Sequence, residues 1–252
     1  MSARRSKKDQ DRLPPNTPLG RYWLRTHRPL NSLAFVLPLI IIYEIGMALA
    51  NNNELLARNQ LGEFLRQFGA SASHLPAVLV ATVLLCSHVA QRQKWAIDGQ
   101  TVVVMLAESI LWAIPLLGIG LVGQRVMAAA AVGADPSSLG ALANDLLVGL
   151  GGGVYEEFLF RLVGLNLCTL ILLDVLELPK DIGYLVAVGT CAVLFALYHF
   201  VSQDFSWQPF AFYSMAGIYL GTLYIMRGYG VSVGTHVCYN MMAVLTTVVL
   251  HR

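Results

Sequence analysis

Apolar residues fill the chain in long blocks. Runs near 31–50, 75–90, 101–122, 140–175, 183–203, 209–226 and 231–250 are separated by shorter polar stretches. A helix needs about 20 apolar residues to cross the hydrocarbon of a bilayer, and most of these blocks have that length. The pattern predicts an all-α fold, a polytopic transmembrane helical bundle with about seven or eight spans. The uncertain count comes from 140–175, which is too long for one crossing. It must tilt, extend past the membrane, or break at the run Gly149, Gly151, Gly152, Gly153. Those glycines suit close helix packing or a break; no Walker-type Lys follows, so they do not read as a phosphate loop. Between the first two blocks, 51–74 mixes Glu54, Arg58, Glu63 and Arg66 with Leu and Phe. It reads as an amphipathic helix at the interface.

Composition supports the same class. The chain is 56% hydrophobic and 13% charged, against the roughly 25% charge of a soluble domain. The charges cluster in the N-terminal tail and between apolar blocks, where topology explains them, so the net charge of +2 gives no reason to invoke nucleic acid. Residues 1–30 form a basic tail with Arg4, Arg5, Lys7, Lys8, Arg12, Arg21, Arg25 and Arg28 against Asp9 and Asp11. Its first half is expected to be disordered. By the positive-inside rule this tail is cytoplasmic, followed by an integral membrane domain over 31–252. In a seven-span count "RQKW" at 92–95, Lys180 and Arg227 fall on the same side. "ALA" at 48–50 resembles a signal-peptidase site, but the long basic lead, Pro38 and Glu44 argue for a retained span. Cys86, Cys168, Cys191 and Cys238 all sit in apolar segments without paired or metal-type spacing, and read as small buried hydrophobes.

Polar residues inside spans cost a few kcal/mol each, so every one needs an account. The candidates are Glu44, Glu108, Asp145, Glu156, Glu157, Arg161, Asp174, His199, His236 and Asn240. Glu157 and Arg161 are four apart in the favourable order, which neutralises one acid. Glu156 projects about 100° away and gains no such partner locally. His199 closes the run "AVLFALYHF", and His236 and Asn240, four apart in "THVCYN", share one helix face. A carboxylate and an imidazole converging on one water can deprotonate it, while His and Asn can stabilise an oxyanion. Glu156, His199 and His236 can alternatively hold zinc with an open position. Either arrangement describes hydrolysis within the membrane. For Glu44, Glu108, Asp145 and Asp174 an interhelical hydrogen bond or an interfacial position is expected. Tyr198 reads as aromatic-belt material, and His27, His74, His88 and His251 as loop or interface residues.

"EEFLFR" (156–161), "FALYH" (195–199) and "HVCYN" (236–240) resemble the E-E-x-x-x-R, F-x-x-x-H and H-x-x-x-N motifs of the CAAX-protease and bacteriocin-processing (CPBP, or Abi) family of intramembrane endopeptidases. The intervening "GIYLGTLYIMRGYGVSVGTH" is similar to that family's stretch before the last motif, and the likeness spans about 140–245. The resemblance implies a mostly helical fold with the site in the membrane. It implies that Glu156 and His199 activate water while His236 and Asn240 stabilise the oxyanion; Glu157 and Arg161, read from their own spacing, are expected to give mainly structural support, with Arg161 also orienting the site. The implied substrates are peptides or lipidated proteins at the membrane lipid. The motifs leave open whether no cofactor is required or zinc takes part. "RGYGVSV" replaces the more usual R-T-G-S-[IL]-W, which bears on substrate preference.

Two other functions fit a polar cluster in a bundle: a proton-coupled transporter and a non-catalytic membrane scaffold. Against the first, no inverted repeat is evident and the polar groups gather in one half of the chain. Against the second, all four candidate catalytic residues are present. One geometric demand follows from the zigzag order of spans. His199 near the end of one span and His236 near the start of another meet only if their helices extend, or if the 209–226 segment is short or oblique.

Overall fold

A computed structural model describes residues 17–50, 74–127, 139–201 and 204–250. The N-terminal part of the basic tail, His251 and nearly all of the expected amphipathic segment (51–73) lie outside the described residues. Among the described residues, eight helices follow in order. These are α1 (Pro18–Thr26), α2 (Pro29–Ala50), α3 (Leu75–Ala90), α4 (Gly99–Met127), α5 (139–175), α6 (Lys180–Tyr198), α7 (Trp207–Arg227) and α8 (Tyr229–Leu250). Seven of them, α2 to α8, correspond to the seven apolar blocks. In lipid a spanning segment must satisfy its own backbone hydrogen bonds, which is why each block becomes a helix.

Five helices, α2 and α4 to α7, are long and apolar enough to cross a membrane. Their outer faces carry large apolar side chains in the open, among them Ile42, Ile45, Val103, Leu111 and Leu185. A water-soluble monomer does not expose so much apolar surface; lipid tails solvate it without cost. The protein is an integral membrane helical bundle.

Helix α5 does not break at its glycines. It starts as an ordinary helix (Leu139–Glu157) and continues through two wide-turn segments, Phe158–Leu165 and Leu170–Val175. At ~1.5 Å per residue a helix of this length exceeds the ~30 Å hydrocarbon, so it tilts or protrudes. Wide turns of this kind frequently mark functional sites, and Arg161 sits in the first of them.

Helix α8 is the hub, packed against α2, α4, α5 and α7. It approaches α5 closely at Gly153. A Cβ on Gly153 would lie 2.8 Å from the backbone nitrogen of Val237 and 3.0 Å from its Cα. Backbone cannot yield as a side chain does, so Gly153→Ala should push α5 from α8 and lower both stability and any activity of the flanking residues. A melting temperature within experimental error of wild type would show that the contact is slack.

Buried polar networks tie the ends together. Glu108 on α4 accepts from Arg227 Nε at 2.5 Å and Nη2 at 2.8 Å, from Trp112 Nε1 at 3.0 Å, and from the Tyr22 hydroxyl. The guanidinium also lies 3.9 Å from the Trp23 ring centroid. Arg227 therefore stands at the basic end of its helix but is turned inward and buried. Its topology reading misses this role, because the partner is 119 residues away in sequence. Glu44 meets the expectation of interhelical bonding, accepting from Tyr155 at 2.6 Å and pairing with His74 at 2.7 Å. Asp174 is exposed near the end of α5. His88 is buried, edge-on to Trp95.

Candidate active site

Glu156 and Glu157 leave α5 in different directions and enter different surroundings. Glu157 is fully buried. Its Oε1 lies 2.9 Å from Arg161 Nη1 and 2.9 Å from His236 Nδ1, and its Oε2 accepts from Ser232 Oγ at 2.6 Å. The Arg161 contact is an ion pair without the alignment of a hydrogen bond. Arg161 itself is buried, reaching the Gly217 carbonyl at 3.4 Å and lying 4.4 Å from the Phe195 ring centroid. One carboxylate thus has a cation, an imidazole and a hydroxyl around it.

Glu156 instead faces a cavity of about 470 Å³ together with His199, His236 and Asn240. Its Oε2 is 3.9 Å from His199 Nε2 and 3.8 Å from His236 Nε2. Both separations exceed a direct hydrogen bond and are of the size a bridging water spans.

The far ring nitrogens fix how the imidazoles present themselves. His199 Nδ1 is 2.8 Å from the Phe195 carbonyl oxygen, which can only accept, so Nδ1 carries the proton. His236 Nδ1 likewise donates to the ionised Glu157. Each imidazole therefore turns Nε2 toward Glu156, as a lone pair when neutral and as a donor when protonated. Tyr213 stacks on His199 at 3.8 Å with an interplanar angle of 17°, holding the ring in place. Asn240 Nδ2 donates to the Gly149 carbonyl at 2.8 Å, which leaves its second N–H for another acceptor.

The meeting of His199 and His236 resolves the zigzag problem. Arg227, at the end of α7, lies fourteen residues past Tyr213, which is level with His199, whereas His236 lies only seven residues past Tyr229. On a common axis that would leave roughly 10 Å unspanned. The side chains nonetheless meet at Glu156, whose Oε2 is 3.9 Å from His199 Nε2 and 3.8 Å from His236 Nε2.

All four candidate catalytic residues come to one cavity, while Glu157 and Arg161 stand behind it. Sequence reasoning missed Tyr213, and it missed that Ser232 and His236 join Arg161 at Glu157. The spacing held a signal: Ser232, His236 and Asn240 repeat every four residues, on one face of α8. Asp145 also lines the cavity. It lies on the same stripe of α5 as Gly149, Gly152 and Glu156. Among the described residues no group of three or more His, Cys, Asp or Glu is arranged to hold a metal ion.

Residues 138–242 match the family model described as type II CAAX prenyl endopeptidase Rce1-like. No curated protein and no solved structure matches the chain. The matched segment runs from α5 into α8 and carries Glu156, Glu157, Arg161, His199, His236 and Asn240, so over residues 138–242 this integral membrane protein is similar to the Rce1-like CAAX protease family.

Proposed function

We propose that this protein is an intramembrane endopeptidase that cuts a peptide bond of a membrane-associated peptide or lipidated protein, with its N-terminal tail, residues 1–30, on the cytoplasmic side of the membrane domain. The observation that carries the reading is the placement of Glu156 Oε2 within 3.9 Å of two imidazole nitrogens whose other nitrogens are already committed. A water held between Glu156 and His199 gives a proton to Glu156 and attacks the scissile carbonyl. The tetrahedral oxyanion takes hydrogen bonds from the free N–H of Asn240 and from Nε2–H of a protonated His236. Glu157 supports that imidazolium, and Arg161 balances Glu157. Protonated Glu156 then delivers its proton to the departing amine, which returns the site to its starting state.

This assignment makes Asn240 one donor of two. Removing a single oxyanion donor costs about 10²- to 10³-fold in turnover. Asn240→Ala should therefore keep a measurable residual rate on an internally quenched peptide in lipid, and Asn240→Ala with His236→Ala should keep none. Wild-type turnover in the double variant would end the paired role. The same assay with a chelator separates the two chemistries. Undiminished turnover is the expected result; loss restored by added zinc would replace the water-bridged arrangement with a metal held by Glu156, His199 and His236.

A further inference from the structure

The cavity that holds Glu156 is a trough laid along α5. Asp145, Gly149, Gly152 and Glu156 fall on one stripe of that helix, and all four line it. At ~1.5 Å per residue, Asp145 stands roughly 16 Å from Glu156 along the helix axis. The candidate catalytic groups gather at one end, and Asp145, exposed, marks the other. Between them the walls are mostly apolar, with Val148, Phe212, Ala243 and Val244.

Gly152 marks where a substrate would react. A Cβ there would lie 3.6 Å from Asn240 Nδ2 and 3.6 Å from Glu156 Oε1. The missing side chain leaves open the space between the acid and the carboxamide, which is where the endopeptidase reading puts the scissile carbonyl. From Gly152 to Asp145 the rise is roughly 10 Å. An extended polypeptide advances about 3.3 Å per residue. A chain lying along the trough from Gly152 or Glu156 therefore brings its third to fifth residue level with Asp145.

Charge decides which residue suits that position. Among the described residues that line the cavity there is no Lys or Arg, and the carboxyl groups are Asp145 and Glu156. An acidic side chain entering the trough meets two carboxyl groups and no fixed cation. A Lys or Arg meets a complementary charge at Asp145 and lays its stem on apolar wall. We infer that Asp145 is a specificity-determining residue, so that the substrate is a polypeptide carrying a Lys or Arg three to five residues from the cut bond. This rests on the endopeptidase reading for the cut, whereas selection of a cationic segment rests on the trough itself. Asp145 is too far from Glu156 to touch the reacting atoms, so its effect falls on KM and not on kcat.

The test uses the full chain in lipid and apolar peptides that carry one Lys or one Glu. That residue is walked from the second to the seventh position on either side of the cut. An exposed ion pair is worth up to about fivefold, so attraction and repulsion together give a Lys-over-Glu preference of roughly 5- to 25-fold in kcat/KM. Wild type should show it at the third to fifth position on one side. Asp145→Asn should flatten the preference through KM, and Asp145→Lys should invert it, which no loss of fold can do. A preference absent from wild type, or unchanged in both variants, overturns the inference while cleavage itself upholds the endopeptidase reading. A second arm reads binding without chemistry, by titrating fluorescently labelled Lys and Glu peptides against Glu156→Gln. Tighter binding of the Lys peptide, reversed when Asp145→Lys is added to Glu156→Gln, is the expected result, and equal binding overturns the inference. If wild type cuts none of the peptides in a Glu156-dependent way, the endopeptidase reading fails, and the binding arm still decides whether Asp145 selects a cationic segment.

Discussion

Glu156→Gln should reduce peptide cleavage by roughly 10²- to 10⁴-fold, the usual contribution of a positioned general base, and leave the melting temperature near that of wild type. The carboxamide is nearly isosteric but cannot take the proton of an attacking water. Stability should hold because Glu156 is not the acid that the bundle is built around. It faces a cavity and lies 3.8 and 3.9 Å from its nearest imidazole nitrogens. The measurement is turnover of purified enzyme in lipid alongside its thermal unfolding. Full activity in the variant removes Glu156 from the mechanism. A collapsed melting temperature would instead show that the cavity-facing acid is structural.

The division of labour between the two adjacent acids was only partly legible in the sequence. Arg161 could be assigned to Glu157 because i,i+4 spacing is a local rule that any helix obeys, and the ion pair at 2.9 Å follows it. No local rule reaches Ser232 or His236, which are 75 and 79 residues away from Glu157 and arrive through the packing of α8 on α5. The same limit hid the buried pairing of Glu108 with Arg227. An Arg followed by Gly at the end of an apolar block looks like a loop charge, and only the tertiary fold shows it facing inward. The helices themselves were readable because lipid enforces them: a long apolar block has no other way to satisfy its backbone. Helix tilt was not readable, since it depends on which glycines meet which backbone. That is why the encounter of His199 with His236 stood as a demand until Gly153 and the level of Tyr213 were located.

Substitution at Glu157 should have the larger effect on stability, and a second change should separate its two roles. Arg161 balances the buried Glu157, and Glu156 faces a cavity instead of packed apolar side chains, which answers how two acids are tolerated in an apolar helix. Glu157→Gln leaves Arg161 buried without its counterion. Breaking a buried pair from one side costs about 3–5 kcal/mol, so the variant should melt well below wild type and accumulate poorly. Replacing both partners with apolar residues of similar volume, as Glu157→Met with Arg161→Met, removes the orphan charge, and such exchanges are often neutral in stability. The double variant should therefore recover most of the lost melting temperature. It should not recover cleavage, because the carboxylate that accepts from His236 Nδ1 at 2.9 Å is gone and the imidazolium loses its support. Recovery of stability without activity assigns Glu157 to positioning and charging His236 as well as to holding the bundle. Recovery of both would confine it to architecture, and Arg161 with it.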